Sequence, residues 1–309
     1  MSQSNNILDA IGNTPLVKLK KIVPENSASV YVKLEYFNPT GSYKDRMALA
    51  IIEGAEKRGA LKHGMTVVEC TGGSTGTSMA FVCAIKNYAF RVVSSDAFAK
   101  EKLMSMRLFG ANLELVQSEG GMITPNLIPK MIERAKEITT ETNGYWTMQF
   151  ENKDAFEGYK KLGYEITEQL NSPVDLFCAG VGTAGMFMGV AQALRSKNKQ
   201  TKLVALEPAS APLLSKGIKG SHKVEGIATG IVPPLLDKAY YDSVEAIEES
   251  DARIMAKRLA AEEGILAGTS SGLNVAAAIK LAKELGPGHN IVTVACDSGM
   301  KYFASGLFN

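Results

Sequence analysis

VDLFCAGVGTAGMFMGVAQALRSK, residues 174–197, runs from a short apolar stretch through a glycine-containing loop into a segment of helical period. Such a run of strand length, ended by a loop and followed by a helix, reads as one βα unit. The plan recurs outward: MTVVECTGGSTGTSMAFVCAIKN at 65–87, FRVVSSDAFAKEKLMSMRLFG at 90–110, then ANLELVQ at 111–117. TKLVALEP at 201–208 supplies a further strand and SDARIMAKRLAAEEG at 250–264 a further helix. Repeated alternation of this kind predicts an α/β protein with largely parallel sheets. TPNLIPKMIERAKEITTETN at 124–143 is predicted to be an amphipathic helix with Ile128, Met131, Ile132, Ala135 and Ile138 on one face, despite Pro129. The polar, aromatic segment NGYWTMQFENKD at 143–154 interrupts the rhythm and marks the predicted crossing point between two α/β units.

The 309 residues are about two domains' worth at roughly 150 each, enough to bury a sizeable core. Lys+Arg 34 against Asp+Glu 32 gives a net charge of +2, and 45% of residues are hydrophobic, the balance of an ordinary globular protein. Basic residues are scattered (Lys18, Lys20 and Lys21, then Arg195, Lys197 and Lys199) without interleaved aromatics, which argues against a nucleic-acid track. The amino-terminal stretch has no basic start followed by an apolar run, and no segment approaches the roughly 18 apolar residues of a membrane helix. A cytoplasmic protein with neither membrane nor nucleic-acid partner is expected. Cys70, Cys83, Cys178 and Cys296 form no CxxC pair and read as buried free thiols. His63, His222 and His289 lack zinc-ligand spacing, so no metal is expected. Met104, Met106, Met186 and Met188 read as core packing.

Three times a strand meets a Gly/Ser/Thr loop at a helix start: Thr71-Gly72-Gly73-Ser74-Thr75-Gly76, Gly180-Val181-Gly182-Thr183-Ala184-Gly185 and Thr269-Ser270-Ser271-Gly272. Free backbone N–H groups and the positive end of the helix dipole attract phosphate or carboxylate there. Taken singly, each of these loops reads first as a tight βα turn with a Ser/Thr cap; three in one chain shift the balance towards a ligand site. GVGTAG satisfies the G-x-G-x-x-G fingerprint, and Glu207 follows Gly185 by 22 residues (207 − 185), close to the spacing of a ribose-binding acid. A dinucleotide-dependent oxidoreductase is therefore one reading. It leaves unexplained Asn38-Pro39-Thr40-Gly41-Ser42-Tyr43-Lys44-Asp45-Arg46, where a lysine stands at the mouth of a helix just after a Pro/Gly loop. A lysine near phosphate-binding amides can form a Schiff base with an aldehyde cofactor. Pyridoxal phosphate needs such a lysine, a phosphate cradle and a ring-nitrogen partner, and Lys44, the 180–185 loop and Ser270 can supply all three.

In order along the chain stand IGNTPLVKL (11–19), NPTGSYKDRMA (38–48), ECTGGSTGTSMAF (69–81), MQFEN (148–152), AGVGTAGM (179–186), ALEP (205–208), HKVEGIATGIVP (222–233) and EEGILAGTSSG (262–272). This series, spanning nearly the whole chain, resembles the pyridoxal-phosphate enzymes of the cysteine synthase and cystathionine β-synthase family. The resemblance implies the fold type II architecture: two α/β domains, each an open, mainly parallel sheet flanked by helices, with the cofactor in the cleft. The expected division is 1–38 with 148–309 as the large cofactor-binding domain and 39–147 as a smaller domain that closes over substrate. A homodimer is the expected assembly.

The resemblance makes Lys44 the Schiff-base lysine, which also moves the α-proton. Gly182, Thr183, Ala184, Gly185 and Met186 take the place of the family's GTGGT phosphate loop, with Met186 standing where the family has a hydroxyl. Ser270 matches the serine that faces the pyridine nitrogen; a neutral hydroxyl does not favour a protonated ring, which promotes prompt loss of a β-leaving group over transamination. Thr71, Gly72, Gly73, Ser74 and Thr75 correspond to the substrate-carboxylate loop TSGNT, with Gln149 as a further amide donor and Gly226 in a segment lining the substrate. Ser74 replaces the asparagine that reaches the cofactor's ring hydroxyl, and Gly72 replaces a serine. Ala228 and Thr229 stand in a segment that usually reads GIGAG. Asp45 and Arg46 are read as a helix-start acid and an ion-pair partner outside the site.

The activity implied is β-replacement on an activated serine: O-acetylserine and a small nucleophile, sulfide, giving L-cysteine and acetate through an aminoacrylate. Alternatives on the same scaffold are cysteine desulfhydration and lanthionine, cystathionine or amine β-replacement. More distant are the oxidoreductase and a catalytically silent binding protein.

Overall fold

Strands and helices alternate as predicted and resolve into one sheet of six strands and one of four. The computed structural model describes residues 6–122, 124, 126–305 and 307, and the chain divides into two units. The smaller comprises the residues up to Ile11 with Lys44–Ala155; the larger comprises Gly12–Tyr43 with Phe156–Asn309. The division expected from sequence runs at 38/39 and 147/148; here residues 39–43 group with the larger unit, and residues 148–155 and 6–11 with the smaller.

The larger unit opens with β1 (Leu16–Lys18) and β2 (Ser29–Leu34), an antiparallel pair. The smaller unit follows as α1 (Lys44–Lys57), β3 (Thr66–Cys70), α2 (Ser74–Lys86), β4 (Ala89–Ser95), α3 (Lys100–Leu108), β5 (Asn112–Val116), α4 (Leu127–Glu141) and β6 (Tyr145–Trp146). Its strands lie in the order β5-β4-β3-β6, every pair parallel, as strands joined by helical crossovers must be. α2 ends at Asn87, whose left-handed backbone (φ 58°) lets Tyr88 donate back to the Cys83 carbonyl, so the chain turns directly into β4. Val68 and Val93 form a core with Leu127, Met131, Ala135 and Ile138 of α4. The predicted face of that helix is corrected at its start: Leu127 is buried, whereas Ile128 is 40% exposed, because a one-residue step turns a side chain about 100° around the helix. Met104 is likewise corrected from core to surface, at 60% exposed, while Met106, Met186 and Met188 are buried.

The larger unit resumes in α5 (Asp154–Gln169), from Phe156 onward, then β7 (Leu176–Gly180), α6 (Gly185–Lys197), β8 (Lys202–Pro208), α7 (Leu213–Lys216), β9 (Ser243–Ile247), α8 (Glu249–Glu263), α9 (Thr269–Leu285) and β10 (Asn290–Ala295). The strand order is β1-β2-β10-β7-β8-β9, with β2 onward parallel. Every residue of β7 is buried, which is why its sequence reads as a continuous apolar run. Glycine permits the closest helix contact: a Cβ at Gly272 of α9 would stand 2.0 Å from the Ala252 carbonyl oxygen of α8. From β7 the chain continues to β8 and β9 on one side, while β10 neighbours β2 on the other. The carboxyl ends of β7 and β10 therefore flank the reversal of strand order, where open α/β sheets bind ligands. Among the described residues, no helix is long and apolar enough to cross a membrane.

Candidate active site

In the larger unit the loop after β7 builds an anion cradle. Val181 donates to the Leu206 carbonyl (3.1 Å), and the next loop N–H with a backbone partner is Met188, to the Ala184 carbonyl (2.9 Å). Between them the N–H groups from Gly182 to Phe187 have no hydrogen-bond acceptor among the described residues, at the amino end of α6. Consecutive free amides at a helix start are the backbone chemistry of phosphate binding. Ala184 holds a left-handed conformation (φ 67°), unusual for a residue with a Cβ and the kind of local strain that functional loops store. Gly182 is obligatory for a different reason: a Cβ there would lie 2.3 Å from the Gly226 carbonyl oxygen. Ala228 donates to the Val181 carbonyl at 2.9 Å, so the 226–228 segment closes directly on the cradle. Gly182, Thr183, Ala184, Gly185, Met186 and Gly226 are thus brought together. Thr183 is 7% exposed, and its hydroxyl has no partner among the described residues. Met186 is buried and adds no donor beyond its N–H.

Ser270 lies in the first turn of α9, capped by Gly268. It is 5% exposed, and its hydroxyl has no partner among the described residues, a neutral donor held ready for a ligand atom. Its neighbour Ser271 accepts the Cys296 N–H at 2.9 Å. Asn274, one turn further on, accepts the Gly180 N–H at 2.8 Å and donates to the Val294 carbonyl at 2.8 Å. No residue pattern in the sequence marks Asn274, since its partners lie far along the chain.

Glu207, the residue on which a ribose site depends, is 2% exposed and already engaged. Its carboxylate accepts from the N–H groups of Leu214 (2.6 Å) and Ser215 (3.0 Å) and from the Ser215 hydroxyl (2.5 Å). It caps α7, which accounts for an acid at this position without a dinucleotide.

In the smaller unit, Lys44 is the first residue of α1 and is 8% exposed. The Thr71–Thr75 loop follows β3 and opens α2, with Gly73 at the cap. The N–H groups of Gly72, Ser74 and Thr75 have no acceptor among the described residues. Gln149 joins this loop: the Thr75 hydroxyl donates to its Oε1 at 2.8 Å, leaving its amide N–H₂ available to a ligand. At 7% exposed, Gln149 is no surface amide. It follows Met148, whose backbone is left-handed (φ 49°). Gly72 has a local cause: the Phe98 ring lies 2.2 Å from where a Cβ would stand, so a side chain at this position has no room.

The sequence reading missed Glu69 beneath this loop. Its buried carboxylate accepts from the Thr147 hydroxyl (2.5 Å), the Gln149 N–H (3.2 Å) and the Cys70 N–H (2.7 Å). Burial raises its pKa above the ordinary carboxylate value, against the lowering effect of those donors. A lone acid between Val68 and Cys70 of an apolar strand was the available signal. Cys70, Cys83 and Cys178 offer no activated nucleophile: burial raises Cys70 and pushes Cys83 and Cys178 up to about 12.

A cradle of free amides and a buried neutral hydroxyl suit the phosphate and the ring nitrogen of pyridoxal phosphate. The family described as pyridoxal-phosphate dependent enzyme matches residues 7–297. A cysteine synthase of Staphylococcus aureus (strain Mu50 / ATCC 700699) is 41% identical over 307 residues, covering 99% of this chain and 97% of that protein. The crystal structure of an O-ureido-L-serine synthase is 36% identical with a TM-score of 0.92, covering 99% of this chain and 96% of that one. A hydrogen sulfide-producing enzyme of Fusobacterium nucleatum is 37% identical with a TM-score of 0.90, covering 98% and 99%. With the family matched over residues 7–297 and that cysteine synthase 41% identical over nearly its whole length, the chain belongs to the pyridoxal-phosphate dependent enzymes, in the cysteine synthase type.

Proposed function

We propose that the chain replaces the β-substituent of an activated L-serine, with O-acetyl-L-serine and sulfide as substrates and L-cysteine and acetate as products. The observation that carries this reading is Ser270, a neutral, buried hydroxyl with no partner in the chain. When bound, pyridoxal phosphate withdraws electrons from the amino-acid α-carbon; beside a neutral hydroxyl its ring is a weaker sink, which favours prompt departure of a β-leaving group. In this reading Gly182, Thr183, Ala184, Gly185 and Met186 hold the phosphate, Ser270 meets the ring nitrogen and Ser74 lies toward the ring hydroxyl. Lys44 attaches the cofactor through Nζ and, once displaced by substrate, takes the α-proton on the same nitrogen. The free N–H groups of the Thr71–Thr75 loop and the Gln149 amide hold the substrate carboxylate, and Gly226 lines the substrate from the segment that closes on the cradle. The working assembly in this reading is a cytoplasmic homodimer, and size-exclusion chromatography tests the dimer.

An assay with O-acetyl-L-serine and sulfide is expected to yield cysteine and acetate in equal amounts; no cysteine from either would overturn the reading. Two named relatives keep a second reading in view: release of sulfide from cysteine, or a nucleophile other than sulfide. Phe98 in place of a residue-72 side chain and Ser74 in place of asparagine alter the loop these readings share, so the assay is run with cysteine alone in parallel.

A further inference from the structure

The sheet of the larger unit parts where its ligand-binding end begins. β10 pairs with β7 at Ile291↔Leu176 and Val292↔Phe177. Continuing that register (292 − 177 = 115) sets Val294 opposite Ala179, with the Gly180 N–H as the next ladder donor. Instead the Asn274 carboxamide is interposed: Oδ1 accepts the Gly180 N–H and Nδ2 donates to the Val294 carbonyl, each at 2.8 Å, with a further contact to Cys296 Sγ at 3.5 Å. Asn274 is fully buried. An amide is the neutral side chain that offers an acceptor and a donor side by side, so it can splint two ladder groups that no longer meet. Gly180 leads within two residues into the cradle, and Asn274 stands one turn after Ser270 on α9.

We propose that Asn274 is a positioning residue: it fixes the cradle at Gly182–Met186 relative to Ser270, so that the phosphate end and the ring end of one cofactor are served in register. The proposal rests on the pyridoxal-phosphate reading of these residues. Parted strands without the splint leave a buried N–H and a buried carbonyl unmatched, and the loop and helix settle independently.

The test compares wild type with Asn274→Ala, and with Asn274→Asp, which keeps the acceptor for Gly180 and loses the donor to Val294. Apo-protein is titrated with pyridoxal phosphate, the visible circular dichroism of the bound cofactor is recorded, and kcat and KM are measured. Asn274→Ala is expected to weaken cofactor binding by about tenfold or more, with Asn274→Asp between it and wild type. It is also expected to diminish the visible dichroism and to lower kcat with little change in substrate KM, while far-ultraviolet dichroism stays native. If Asn274→Ala does not fold, Asn274→Asp alone is expected to weaken binding and diminish the visible band. Unchanged affinity and an unchanged band in the folded variants, with only melting temperature lowered, overturn the proposal. Wild-type protein that takes up no pyridoxal phosphate overturns instead the reading beneath it.

Discussion

Lys44 bears the heaviest chemical assignment. Lys44→Ala is expected to lose covalent attachment of the cofactor and to slow turnover by about 10²–10⁴-fold, the usual contribution of a positioned proton-transfer group. Borohydride reduction followed by mass spectrometry reads the first effect and steady-state kinetics the second; a reduced cofactor adduct on the variant contradicts the assignment. Glu69 makes a different prediction. Because burial raises its carboxyl, the folded chain holds a proton more tightly than the unfolded chain does. The stability tied to Glu69 is therefore greatest at acid pH and declines as pH rises from the ordinary carboxylate value through the folded one. Glu69→Gln removes this titration, so urea denaturation should show wild type losing ground to the variant as pH rises above the ordinary carboxylate value. A difference constant with pH contradicts that reading. Lys44 and Ser270 were legible because each sits in a motif of contiguous residues. Glu69 was not, since the Thr147 and Gln149 groups that explain it lie 78 and 80 residues away.

The strand-loop-helix reading of residues 174–197 is realised as β7, the cradle and α6, because a parallel strand covered on both faces writes an unbroken apolar run. α4 was read one residue out of phase at its first turn, where Leu127 and Ile128 are both apolar and only packing chooses between them. Met104 misled for the same reason in reverse: its α3 has an exposed face, and composition alone does not tell the two faces apart. Close approaches of backbone were also invisible. Gly272→Ala would drive a Cβ into the Ala252 carbonyl, and a loss of about 1–3 kcal/mol is expected in urea denaturation, as for other overpacked cores. Gly182→Ala meets the Gly226 carbonyl instead, so its expected effect is on the cradle: cofactor affinity lowered by about tenfold or more in apo-protein titration. Wild-type affinity in that variant would contradict the close approach described here.

The two-sheet architecture, the cofactor and the reaction type were all accessible from an ordered series of motifs, among them strand-to-helix loops whose backbone N–H groups are left free. Substrate identity was less so, because it depends on side chains that meet across long stretches of sequence, as Phe98 meets Gly72. The dinucleotide reading failed on a similar point: GVGTAG fits two kinds of phosphate loop, whereas the family match over residues 7–297 and the engagement of Glu207 in capping α7 argue against a ribose site. The central claim is that this chain binds pyridoxal phosphate and expels a β-substituent from an activated serine. It is tested most directly by the visible absorption spectrum of the purified protein, recorded before and after adding O-acetyl-L-serine without sulfide, with released acetate counted. A yellow protein whose band shifts on addition, with about one acetate released per bound cofactor, is the predicted result. A protein with no visible band, or a band that does not move while no acetate appears, contradicts it.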